Sequence, residues 1–253
     1  PQRPGWHSRR ARAHTALTAM AFGNQGIQAE SALLSSAILD FVENRLHKIF
    51  TGPHIAGPED IRKLFTLSTT YWHLAERPDW YIHAYRFAVL TGLRPGELLG
   101  LRWSDVTDER ITIRRSYNDD GELTSGKNEN AHRTLALQGL AQQELEAQRD
   151  MLRRNAIVSP YIFPSPESEV TAQKRYRNSW KRYCRYHRLS DTTPYELRHT
   201  YVSLNDEMPD GLKKKALGHS KNMDTEGVYG HIKAGDLERI AQYSDSVVKK
   251  IIN

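Results

Sequence analysis

The chain has 253 residues, with 36 Lys and Arg against 30 Asp and Glu, a net charge of +6 and a pI near 9.3. That length fits one large domain or one and a half, at roughly 150 residues per domain, and the basic balance favours a polyanionic partner, nucleic acid first. A mean hydropathy of −0.67, no run near the roughly 18 apolar residues of a membrane span and no leader pattern exclude a helical membrane protein.

The lone cysteine, Cys184, excludes an internal disulfide framework and fits a reducing cytoplasm. No CxxC, HExxH or P-loop pattern occurs, so neither a zinc site nor nucleotide hydrolysis is expected, and no cofactor is implied. The chain begins with Pro rather than Met, as a fragment would.

Residues 1–30 hold the basic cluster SRRAR and small residues broken by Gly23 and Gly26. Over 31–50, Leu34, Ile38, Phe41, Val42, Leu46 and Ile49 recur at helical steps and predict a helix, stopped by Gly52-Pro53. GPHIAGPED then reads as a linker, which places a domain boundary near residue 56. Helices are predicted over 59–70 and 77–91, followed by one led by Pro95. Alternation and β-branching predict a strand over 110–117, with a weak second strand at 122–125 and a third at 133–137 closing an antiparallel meander. Further helices are expected near 138–154, 171–188, 194–206, 209–217, 222–229 and 234–251. The fold class is mainly α with a small three-stranded antiparallel sheet.

The stretch TGLRPGELLGLRW poses a chemical question. Pro95 suits the first helical position and Glu97 the positive end of the helix dipole, yet Arg94 stands where a cation is disfavoured. Two readings are open: Arg94 pairs with Glu97 or another carboxylate, or it and the free helix N–H groups face an anion. In KRYRNSWKRYCRYHR, Lys174, Arg177, Lys181, Arg185 and Arg188 share one face, with Tyr176, Trp180 and Tyr183 on another. That basic face is either solvated or a grip on phosphates. TPYELRHTY places a second arginine, Arg198, just inside another Pro-led helix, with Tyr195 one turn before it. LGHS carries His219, and Tyr229 follows ten residues later.

These stretches, with the lysine-bearing hairpin GKNENAHRTLAL, resemble in order and spacing the catalytic domain of tyrosine recombinases, the phage and transposon integrase family, over about residues 57–235. The wording of the last two is most similar to integrases of conjugative transposons from Gram-positive bacteria. The resemblance implies site-specific cleavage and rejoining of double-stranded DNA through a 3′-phosphotyrosine and a Holliday junction. Tyr229 would be the nucleophile. Arg94 and Arg198 would clamp the non-bridging oxygens in place of a metal. Lys127 would protonate the departing 5′-oxygen; without the resemblance it would read as a solvated turn lysine. His219 would bond a scissile phosphate oxygen. The family usually has His where this chain has Tyr195, and a phenol, with a pKa near 10 against about 6.5, is a poor base at neutral pH. Two rival readings share the resemblance: a type IB topoisomerase-like nicking-closing enzyme, and a non-cleaving DNA-binding protein of this fold.

Residues 1–56 are too short for the family's whole core-binding domain and read as part of it or as a linker, while 57–253 form the catalytic domain. The predicted C-terminal helix has a stripe of Leu237, Ile240, Ser244, Val247, Val248 and Ile251, which either covers its own domain or docks on a neighbour. The expectation is docking in trans, within a dimer on each site and a tetramer in the synapse, in the cytoplasm.

Overall fold

The computed structural model describes residues 54–107, 109–119, 121–124, 132–218 and 233–253. The helices expected at 31–50 and 222–229 and the turn at 126–131 lie outside them. The described residues belong to one unit that begins at His54.

Helix α1 (Pro58–Thr66) starts as its sequence dictates: Pro58 leads, and the Asp60 carboxylate accepts the Gly57 N–H at 3.3 Å. Its apolar residues Ile61 and Leu64 are buried. Next comes a hairpin that the helical reading missed. Strand β1 (Thr69–Trp72) pairs with β2 (Ala75–Pro78), Thr69 opposite Pro78 and Trp72 opposite Ala75. The two turn residues, His73 and Leu74, take φ of 47° and 65°. A two-residue turn with both central φ positive normally announces itself with Asn-Gly or Asp-Gly; His-Leu gives no such signal. The second predicted helix therefore begins at residue 82 rather than 77.

Helix α2 (Ile82–Thr91) is buried on nearly every side, which explains its largely apolar sequence; its one buried charge, Arg86, donates to the Leu64 carbonyl. It ends at Gly92, at φ 64°, where a side chain would collide with the Tyr201 ring. Helix α3 (Pro95–Leu99) follows after three residues, Gly92, Leu93 and Arg94. It packs so closely that a methyl at Gly96 would overlap the Tyr117 carbonyl oxygen and the Ser116 hydroxyl.

The sheet has the order β3 (Val106–Thr107), β4 (Arg110–Ile113), β7 (Arg133–Ala136), all antiparallel, with Ile111 opposite both Val106 and Leu135. Three strands were expected, but their identities differ. The predicted strand 110–117 breaks at Arg114-Arg115, because Arg115 turns to the buried Asp105 carboxylate, its Nη2 3.1 Å from Oδ1. Beyond the break, β5 (Ser116–Tyr117) pairs with β6 (Leu123–Thr124) as a separate ribbon.

Five helices complete the described unit: α4 (Gly139–Arg154), α5 (Gln173–His187), α6 (Glu196–Leu204), α7 (Asp210–Leu217) and α8 (Asp236–Ile252). Helix α2 packs on α4, α6 and α8. Its Tyr85 sits among rings from α5, with centroids 4.8 Å from Trp180, 5.3 Å from Tyr176 and 5.7 Å from Tyr183. The aromatic face of α5 is thus core. Helix α8, expected to dock on a neighbour, lies on its own domain: Leu237, Ile240, Ser244 and Val248 are buried, and Asp245 accepts the Leu140 N–H at 2.7 Å. Among the described residues no helix is long and apolar enough to cross a membrane.

Candidate active site

The turn from α2 to α3 delivers Arg94. Gly92 reverses the chain, Leu93 anchors it in the core, and Arg94 stands in extended conformation as the residue before the α3 first turn. The first of its two readings is met geometrically: Arg94 Nη1 lies 2.9 Å from Glu97 Oε1, and its backbone N–H donates to Oε2 at 3.0 Å. Glu97 is not Arg94's alone, however. Arg133, at the head of β7, donates Nη1 to Oε1 at 3.1 Å and Nη2 to Oε2 at 2.9 Å. Burial would raise the Glu97 carboxyl, but Arg133, through its hydrogen bonds and charge, and then Arg94 overcome this and hold it down to about 2.

Arg198 comes from the first turn of α6 and is only 4% exposed. It donates Nη1 to the Gly92 carbonyl at 2.7 Å and Nη2 to the Leu217 carbonyl at 2.8 Å. Both acceptors lie at helix C-termini, where the dipole is negative. Among the described residues it has no carboxylate within ion-pair distance. Burial first, then the charge of Arg94, lower its pKa to about 10, with Arg133 acting in the same direction and Glu97 against it. A desolvated guanidinium whose bonds go only to carbonyl oxygens is chemically suited to an anion.

Tyr195 precedes α6, 47% exposed, its ring centroid 5.3 Å from that of His199. It lies close enough to Arg198 to act on its charge. Arg94, Arg198 and Tyr195 are therefore brought together, around a carboxylate and a third arginine. Lys127, His219 and Tyr229 lie outside the described residues. In the chain, Lys127 precedes Arg133 by six residues, and His219 follows the Gly218 that caps α7.

The five cations of the α5 stripe, Lys174, Arg177, Lys181, Arg185 and Arg188, are all exposed on one side. Arg177 approaches Asp119 at 3.6 Å, and Arg188 ends the helix at φ 53°. The other two arginines of α5 are engaged elsewhere: Arg175 pairs with Glu167, and Arg182 lies 4.1 Å from the centre of the Trp72 ring. The start of α5 adjoins the site, because Gln173 Nε2 donates to the Tyr117 carbonyl beside Gly96. Arg133 is the member of this charged cluster that the sequence reading passed over. The available signal was alternation: it shares the inward face of β7 with Leu135, a place where a charge needs a buried partner.

This fold has known counterparts. The model of the phage integrase family matches residues 58–235, and the chain belongs to that family. The ICEBs1 integrase of Bacillus subtilis (strain 168) is 26% identical over 178 residues, which cover 65% of this chain and 48% of the relative. The chain thus spans about half the length of that curated relative. Among solved structures, the Tn1549 transposon integrase in complex with a circular intermediate DNA superposes with a TM-score of 0.55 at 18% identity, over 76% of this chain and 66% of that one. XerA recombinase superposes at 0.51 and 21% identity, over 76% and 64%. At these identities the likeness is one of fold.

Proposed function

We propose that this chain is the catalytic part of a site-specific recombinase of a mobile element, acting on duplex DNA. The observation that carries the reading is Arg198: a buried guanidinium with no described carboxylate partner, set beside Arg94 at the opening of a helix. Two such groups suit the two non-bridging oxygens of a phosphodiester. In the proposed reaction the Tyr229 phenol releases its proton to water as its oxygen attacks phosphorus and forms a 3′-phosphotyrosine, and the 5′-oxygen departs with a proton from Lys127. Attack by a 5′-hydroxyl on the phosphotyrosine reverses the step and restores the phenol, so no external energy source enters. Arg94 and Arg198 offset the charge gathered on the phosphoryl oxygens in the transition state. His219 donates to one of those oxygens, and Tyr195 adds a hydrogen bond from the second helix start. The exposed cations of α5 run along the neighbouring DNA backbone. The proposal includes a dimer on each site and a tetramer across the synapse, in the cytoplasm. Exchange of α8 between subunits would first have to release its contacts with its own domain.

The test is covalent trapping on a nicked suicide substrate that carries the ends of the element. The expected result is a denaturant-resistant protein–DNA adduct that Tyr229→Phe abolishes. An adduct that persists in the Phe variant would move the nucleophile to another tyrosine. Binding without any adduct would favour the non-cleaving reading, and turnover by a monomer the topoisomerase-like one.

A further inference from the structure

We propose that Arg133 is a positioning residue of the phosphate site, saturating the Glu97 carboxylate so that Arg94 remains available to the scissile phosphate. The inference rests on the reading of Arg94 and Arg198 as the phosphate clamp. A carboxylate has about four lone-pair positions, and Glu97 has four donors. Oε1 accepts Arg133 Nη1 and Arg94 Nη1; Oε2 accepts Arg133 Nη2 and the Arg94 N–H. Arg133 takes the parallel two-pronged geometry, the strongest form of this pairing, and leaves Arg94 a single side-chain bond. Its third nitrogen, Nε, donates to the Ala216 carbonyl at 2.9 Å, at the end of α7. Arg133 thereby ties α3, β7 and α7 together from inside. Its side chain is 6% exposed against 38% for Arg94, so Arg94 faces outward and Arg133 does not.

The charge count gives this arrangement a purpose. Three guanidiniums around one carboxylate leave an excess of two positive charges, which matches the two negative charges of a pentacoordinate phosphorane. Without Arg133, Glu97 would hold only Arg94 and draw it into the two-pronged pairing, and the excess would halve. The loss would fall on the charged transition state rather than on DNA affinity.

The experiment compares adduct formation at saturating DNA on two suicide substrates, one with an ordinary scissile phosphodiester and one with a methylphosphonate there. The methylphosphonate linkage is neutral and needs less positive charge. Arg133→Gln is expected to slow the phosphodiester reaction by about 100-fold and the methylphosphonate reaction by less than about 5-fold. The paired variant Glu97→Gln/Arg133→Gln restores the excess of two charges and leaves no unpaired buried carboxylate, so it is expected to fold and to react at least about tenfold faster than Arg133→Gln on the phosphodiester. Should Arg133→Gln alone fail to fold, the paired variant is compared with wild type and expected within about tenfold of it. Equal loss on both substrates, or a paired variant as slow as the single one, would show Arg133 to be structural only. A wild-type protein that bound DNA and formed no adduct would overturn the recombinase reading and this inference with it.

Discussion

Two carboxylates removed from water show how neighbours decide a charge. Glu97 meets two guanidiniums and is held to about 2 despite its burial. Asp79, 1% exposed, receives only the Tyr81 N–H, at 2.9 Å on Oδ1, while Oδ2 has no partner. Burial pushes its carboxyl up to about 6, only partly opposed by that N–H and by the charge of Arg182. A folded-state pKa raised above the unfolded 3.8 means that Asp79 costs nothing at pH values below 3.8 and costs most once the pH has risen through 6. Asp79→Asn keeps the acceptor and removes the charge. It is expected to raise stability at pH 7 by on the order of 2 kcal/mol, with the gain gone near pH 4. Urea unfolding at both pH values measures this; a gain of equal size at each would refute the electrostatic account.

Among the elements, what could be read from sequence depended on how local the cause was. The starts of α3 and α6 are written in Pro95 and Pro194 and in the acids that follow, so Arg94 and Arg198 could be placed at helix openings directly. The Glu97–Arg133 pairing spans 36 residues, and no local pattern encodes it. The break after Ile113 likewise depends on Asp105, ten residues before Arg115. The β1–β2 hairpin was invisible because tertiary contacts, not turn chemistry, hold it. Tyr183 donates its hydroxyl to the Leu67 carbonyl at 2.7 Å, and His187 Nε2 lies 2.7 Å from the Thr69 carbonyl. His73 and Leu74 therefore sit in a left-handed conformation that costs roughly 1 kcal/mol each for side chains of their kind. Leu74 is 90% exposed and loses little packing when replaced. Exchanging the pair for Asn-Gly is expected to stabilise the fold by about 1 kcal/mol. A thermal melt that moved down instead of up would show that these side chains make contacts outweighing the strain.

At the scale of the whole unit, α8 is the element that joins the parts. Val248 enters the main core around α2, and Ile240 enters the smaller cluster of Tyr201, Met208, Leu212, Ala216 and Leu217. Its polar side chains extend the reach: Asp236 pairs with Lys215 at 2.8 Å, Glu238 with Arg110 at 2.8 Å, and Ser244 Oγ lies 3.2 Å from Asn205 Oδ1. Ending the chain after Gly235 would uncover α2, α4 and β7 together. Burying an aliphatic side chain such as Leu237, Ile240 or Val248 contributes roughly 1.5–3 kcal/mol. Losing all three approaches the roughly 5–15 kcal/mol that holds a typical domain. The truncated chain is accordingly expected to melt at least about 10 °C lower or to lose its cooperative transition. Any failure to assemble on DNA would then follow from that loss. A truncated chain that kept the full melting temperature and urea midpoint but no longer assembled on DNA would reverse the conclusion. It would mean that the apolar stripe serves a neighbouring subunit, and that the packing of α8 on its own domain contributes little to stability.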